Sequence, residues 1–156
     1  MVAEYRMPIA VAGLETKTQL TVAARDQFET SFSRIPSRFE TYDGITLPGW
    51  TEEYDYVFLI DVLHHVPWHQ QRPMLESILS LMKRGAKLVI KDIDAGERMW
   101  CLFNKIHDLI VAGELPREVR AEDLREQLRT IGFLIRDFST QRLYVYPHFI
   151  IVCEKL

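Results

Sequence analysis

Hydrophobic positions along this chain follow two rhythms, and the changes between them mark its elements. Tyr56 to Ile60 are aromatic, β-branched or leucine without interruption, and the run stops at Asp61. A short run apolar at every position predicts a strand covered on both faces, as inside a parallel sheet. Pro8 to Leu14 reads the same way and ends against Glu15. Arg38 to Tyr42 alternates and predicts a strand that ends at Asp43-Gly44. Lys87 to Ile90, continued by Ile93, is a further strand ending in acids, Asp92 and Asp94. Phe133 to Phe138 and Val145 to Cys153 close the chain as two more strands.

The helical rhythm fills the intervals. Gln70 to Met82 places apolar residues at 74, 75, 78, 79 and 82 on one face, with Pro73 expected in its first turn and Gly85 as its stop. Glu122 to Ile131 turns Leu124, Leu128 and Ile131 inward, and Gly132 suits its C-terminus. Met99 to Val111 reads as a helix stopped by Gly113. Near the N-terminus, Thr16 or Thr18 can cap a helix whose stripe is Leu20, Ala24 and Phe28. Ser31 to Pro36 is a link, and Ile45 to Glu53 a loop. Strands alternating with helices predict an α/β fold with a mostly parallel sheet, helices on both faces and an antiparallel C-terminal edge pair.

Composition narrows the picture without changing it. The 156 residues suffice for one domain with one core, and 47% apolar with 26% charged is ordinary for a globular chain. A net charge of −3 with no basic run argues against nucleic acid as partner. No apolar stretch approaches the roughly 20 residues of a membrane span. Cys101 and Cys153 lie far apart with no CxxC spacing, so reduced thiols and a cytoplasmic setting are the expectation.

Candidate chemistry gathers at the strand ends. In open α/β sheets, ligands bind beyond the carboxyl ends of the strands. Glu15, Asp43 and Asp61 stand at three such ends. Each has a plainer reading: a solvated acid at Glu15, a turn-forming Asp-Gly at 43–44, a helix cap at Asp61. His64, His65 and His69 invite a metal, but Pro67 interrupts them and no carboxylate or cysteine completes a spacing, so no metal is expected. Asn104, His107 and Asp108 share one face of the helix after Asp94. His107 with Asp108 could act as a base, His148 is a second candidate, and the plainer reading is a polar helix face.

Five patterns in order resemble the class I S-adenosylmethionine-dependent methyltransferases, a Rossmann-like family. They are Val11-Ala-Gly-Leu-Glu15, Tyr42-Asp-Gly-Ile-Thr-Leu-Pro48, Tyr54 to Pro67 with Asp61-Val-Leu-His-His, Leu81 to Ile90, and Leu124 to Phe133 with its Ile-Gly-Phe end. The resemblance implies S-adenosylmethionine as cofactor and a small molecule as methyl acceptor. It implies Glu15 as acceptor for the two ribose hydroxyls, Asp43 for the adenine amino group, and the Gly44 N–H facing a ring nitrogen. Asp61, Val62 and Leu63 would line the cofactor's other side, with one of the paired histidines packing beneath. The family's first strand and glycine-rich loop have no counterpart, since none of the seven glycines forms a G-x-G cluster. The expectation is therefore an N-terminally incomplete domain. Two or three lost bonds to a charged ligand group, at ~1.5–3 kcal/mol each, would weaken affinity. A homodimer or a partner chain would cover the missing central strand. The alternative function is a non-catalytic methyltransferase-like subunit.

Overall fold

The computed structural model describes residues 9–51, 53–94, 120–143 and 146–156. Contacts divide the chain into two units, 1–48 and 49–156. In the first, β1 (Val11–Glu15) lies parallel to β2 (Ser37–Thr41), with Val11 opposite Ser37 and Glu15 opposite Thr41. Helix α1 (Thr18–Ser31) follows β1 and packs against both strands. In the second unit, β3 (Tyr54–Ile60), β4 (Met82–Ile93), β5 (Phe133–Leu143) and β6 (Tyr146–Lys155) form a four-stranded sheet in the order β3-β4-β6-β5. β3 and β4 are parallel, whereas β6 runs antiparallel to both β4 and β5. Helices α2 (Trp68–Ser80) and α3 (Ala121–Ile131) complete the unit. The parallel β–α–β pairs and the antiparallel closing pair are the Rossmann-like α/β arrangement expected.

Alternation builds the core of the second unit. Leu88, Ile90 and Asp92 of β4 pair with Cys153, Ile151 and Phe149 of β6, and all six are buried. Met74, Leu75 and Ile78 of α2 and Leu124 and Leu128 of α3 are buried in turn. At ~1.5–3 kcal/mol for each fully buried side chain, this layer is the main source of the unit's stability. α2 and α3 touch through Arg72, whose guanidinium donates to the Thr130 hydroxyl at 3.1 Å. Gly132 ends α3 at φ 117°, a left-handed conformation that lets its N–H reach the Leu128 and Arg129 carbonyls.

Four expectations change. The α1 stripe is wrong: Leu20 is 50% exposed and the buried residue is Thr21, whose hydroxyl meets that of Thr41 at 2.9 Å. The packed face instead runs through Thr21, Arg25 and Phe28, spaced by four and three. Arg25 donates to the Phe39 carbonyl at 3.0 Å, and the Phe28 ring lies 5.6 Å from that of Phe39. Pro73 lies inside α2, not in its first turn, because the helix starts six residues earlier than Met74, with Pro67 as N-cap. Gly85 does not stop α2, which ends at Ser80. It sits at φ 79° where the β3–β4 register shifts and β4 carries extra residues. Finally, β3 is buried on one face only: Leu59 is buried, but Tyr56, Phe58 and Ile60 are 58%, 61% and 49% exposed. Among the described residues β3 pairs with β4 alone.

Candidate active site

In the first unit, two carboxylates stand at neighbouring strand ends. Glu15 is the last residue of β1, and its Oε1 accepts from the Thr16 N–H at 2.7 Å, the Thr16 hydroxyl at 3.1 Å and the Lys17 N–H at 3.2 Å. Burial acts to raise its pKa. The bonds from Lys17 and Thr16, with the Lys17 charge, outweigh burial and hold the carboxyl below its usual range. Its other oxygen takes no donor among the described residues. The threonine cap expected for α1 is absent: its N-cap is Lys17, without a side-chain bond.

Asp43 follows β2, and its Oδ1 accepts from the Ile45 N–H at 2.8 Å and the Thr46 N–H at 2.6 Å. These bonds lower its pKa. The turn-forming role foreseen for Asp43 is therefore real, and it fixes the carboxylate. Gly44 beside it has φ 85°, and a Cβ there would stand 3.2 Å from Thr16 Cγ2. Tyr42 joins the two acids. Its N–H donates to the Glu15 carbonyl at 3.0 Å, and burial, then the charges of Glu15 and Asp43, push its phenol up.

In the second unit the chain turns sharply after β3. Asp61 adopts φ 54°, a left-handed conformation uncommon for a residue with a side chain. Its N–H donates to the Lys91 carbonyl at 2.9 Å, and its Oδ2 meets Lys91 Nζ at 2.6 Å. Asp61 does not cap the following one-turn 3-10 helix, Leu63–His65, whose N-cap is Val62. Asp92 does the holding. Its Oδ2 accepts from the Leu63 N–H at 2.9 Å and the His64 N–H at 3.3 Å. Its Oδ1 meets His64 Nδ1 at 2.6 Å and accepts from the Ile93 N–H at 2.8 Å. From α2, Gln71 Nε2 donates to the Leu63 and Val66 carbonyls at 3.0 and 3.1 Å.

His64 is thus the buried histidine of the pair, as expected, and His65 is exposed with its ring 4.0 Å from that of His64. Asp92 and Gln71 were missed as site residues. The signal for Asp92 was an acid ending the strand after a histidine pair, but only the β3–β4 register brings it to His64. His148 pairs with Ile93, and burial, then the Lys91 charge, push its imidazole down. His107, Asp108 and Asn104 lie outside the described residues.

Both sets of candidates are at carboxyl ends of parallel strands: Glu15, Asp43 and Gly44 in one unit, Asp61, Val62 and Leu63 in the other. In open α/β sheets, such strand ends are where ligands bind. A family model described as a methyltransferase domain matches residues 6–137. The chain therefore belongs to the methyltransferase-domain family, among the class I S-adenosylmethionine-dependent methyltransferases, whose cofactor is S-adenosylmethionine.

Solved structures agree on the fold. Magnesium protoporphyrin IX methyltransferase from Synechocystis PCC 6803 with bound SAH is similar at a TM-score of 0.72 and 21% identity, over 94% of this chain and 64% of that one. An S-adenosylmethionine-dependent methyltransferase from Methanosarcina mazei gives a TM-score of 0.76 and 15% identity, over 96% of this chain and 83% of its own. The cyclase SpnF is similar at a TM-score of 0.70 and 16% identity, over 94% of this chain and 66% of that one. The chain thus spans less than two thirds of the Synechocystis enzyme. No curated protein matches it. Among the described residues, no helix is long and apolar enough to cross a membrane.

Proposed function

We propose that this chain binds S-adenosylmethionine through its strand-end residues and directs the methyl group to a small-molecule acceptor. One observation carries the reading. Glu15 and Asp43, at adjacent parallel strand ends, each commit one oxygen to their own following backbone and are held with lowered pKa values. Carboxylates fixed in this way suit a ligand that presents hydroxyl and amino donors. Glu15 takes the ribose hydroxyls through its second oxygen, and Asp43 takes the adenine amino group. The absence of a side chain at Gly44 allows its N–H to approach a ring nitrogen. Asp61, Val62 and Leu63, after β3 in the second unit, are the further residues assigned to the cofactor.

Bound S-adenosylmethionine supplies an electrophilic sulfonium methyl. What remains for the protein is alignment of the acceptor with that carbon. A base is required only where the acceptor must lose a proton. His107 beside Asp108 is the first candidate, and His148, whose lowered pKa favours the neutral imidazole, is the second.

Thermal melts with S-adenosylhomocysteine, adenosine and methionine test the assignment. A ligand at a hundred times its Kd stabilises the fold by about 2.7 kcal/mol. Stabilisation by S-adenosylhomocysteine and, more weakly, by adenosine is expected, because the proposed acceptors address the nucleoside. Equal melts in all solutions would refute it, and a folded chain silent in this way would be a non-catalytic methyltransferase-like subunit.

A further inference from the structure

The segment that turns out of β3 is gripped by buried polar side chains from two other elements. Asp92, 1% exposed at the end of β4, accepts the amides of Leu63 and His64 and meets His64 Nδ1. With three amides directed at it, the Asp92 carboxylate acts as acceptor, so His64 Nδ1 carries the donated proton. Gln71, fully buried on α2, donates to the carbonyls of Leu63 and Val66. Side chains therefore hold two N–H groups and two carbonyls of the 63–66 backbone, and the His65 and Val66 N–H groups donate to the Val62 and Leu63 carbonyls. Leu63 and Val66 are buried beneath, and Lys91 holds Asp61 from the neighbouring position on β4.

Stability alone does not explain this arrangement. Gln71 Oε1 is buried with no donor among the described residues, which is a penalty an apolar side chain would avoid. Asp92 sits in a core layer otherwise built of Leu88, Ile90, Phe149 and Ile151. Buried polar groups of this kind specify geometry where an apolar replacement would pack without choosing it. The geometry specified here is the left-handed Asp61 and the one-turn helix after it.

Resting on the proposed function, we propose that Asp92 and Gln71 are positioning residues. They lock the Asp61–Leu63 backbone in the conformation that receives the cofactor, and His64 is the strut between Asp92 and the turn. Neither residue touches the cofactor; both act through the backbone they hold.

The test compares cofactor affinity at matched stability. Asp92→Asn keeps one acceptor oxygen for the two turn amides but turns an NH2 donor toward both His64 Nδ1 and the Ile93 N–H, which share Oδ1. Gln71→Met keeps the volume and removes both donors. Leu128→Val, in the core layer of α3, is the control for lost stability alone. S-adenosylhomocysteine is titrated into each variant below its melting transition, and amide exchange is followed at Leu63 and His64. The clamp variants are expected to bind at least tenfold more weakly and to exchange faster at these two amides, while Leu128→Val binds within twofold of the parent. Should Asp92→Asn not fold, Gln71→Met and His64→Gln carry the same comparison. Clamp variants that bind like the parent, or whose loss only follows melting temperature as the control does, overturn the positioning role. A parent chain that binds nothing overturns the proposed function, and this role with it.

Discussion

Replacing Glu15 by glutamine changes one atom of a carboxylate that has one use in the structure and a second in the proposed function. Oε1 holds the Thr16 and Lys17 amides at 2.7 and 3.2 Å and the Thr16 hydroxyl at 3.1 Å. The proposed function gives the second oxygen to the ribose. Glutamine has a single acceptor oxygen. If that oxygen keeps the backbone bonds, an NH2 group faces the ribose hydroxyls. If it faces the ribose, the NH2 group faces two amide donors. Hydrogen bonds to a charged group contribute about 1.5–3 kcal/mol, so the loss of one such bond weakens binding about 10- to 100-fold. The assay is calorimetric titration of Glu15→Gln with S-adenosylhomocysteine, beside circular dichroism to show the fold intact. Affinity within twofold of the parent would refute the ribose role and leave Glu15 as an acceptor for the Thr16 and Lys17 amides ahead of α1.

Three further outcomes are expected. Gly13→Ala places a Cβ 2.6 Å from the Phe39 ring, so overpacking should destabilise the first unit by about 1–3 kcal/mol, and a simultaneous Phe39→Leu should recover part of that loss in a thermal melt. The lowered carboxyls of Glu15 and Asp43 contribute stability that is complete above their unfolded values of 4.5 and 3.8 and is lost as pH falls through the folded values. The acid limb of a melting-temperature profile should therefore flatten in the double Glu15→Gln, Asp43→Asn variant, and an unchanged limb would contradict the assignment. Burial pushes the Cys153 thiol up to about 12, so it should resist alkylation at pH 8 until the protein is denatured. Rapid modification of Cys153 in the folded chain would show that the β4–β6 layer opens.

Much of the fold was legible because its signals are local. Leu124, Leu128 and Gly132 announce α3 and its left-handed end without reference to anything else in the chain. Met74, Leu75 and Ile78 announce the buried face of α2 in the same way. The strand-end acids were legible because each apolar run stops at one. What escaped depends on which element lies beside which. The packed face of α1 is Thr21 and Phe28, and nothing in the sequence says that Thr41 and Phe39 will meet them. Tyr56, Phe58 and Ile60 look like interior residues because their chemistry is apolar, but whether that face of β3 is buried depends on what packs over it, which the run itself does not encode. Asp92 is far in sequence from the turn it holds, and only the parallel register of β3 with β4 brings that contact about, whereas Gln71 is near in sequence but reaches the turn only through the way α2 folds back on it. Pro73 misled the placement of α2's start, since proline is favoured in a first turn but is tolerated here at the sixth position, with Pro67 already setting the N-terminus.

The most direct test of the central claim is a calorimetric titration of the 156-residue chain with S-adenosylmethionine and, separately, S-adenosylhomocysteine. The account predicts saturable binding of both, with a Kd in the micromolar range. A chain folded by circular dichroism that gives no binding heat with either ligand would contradict it.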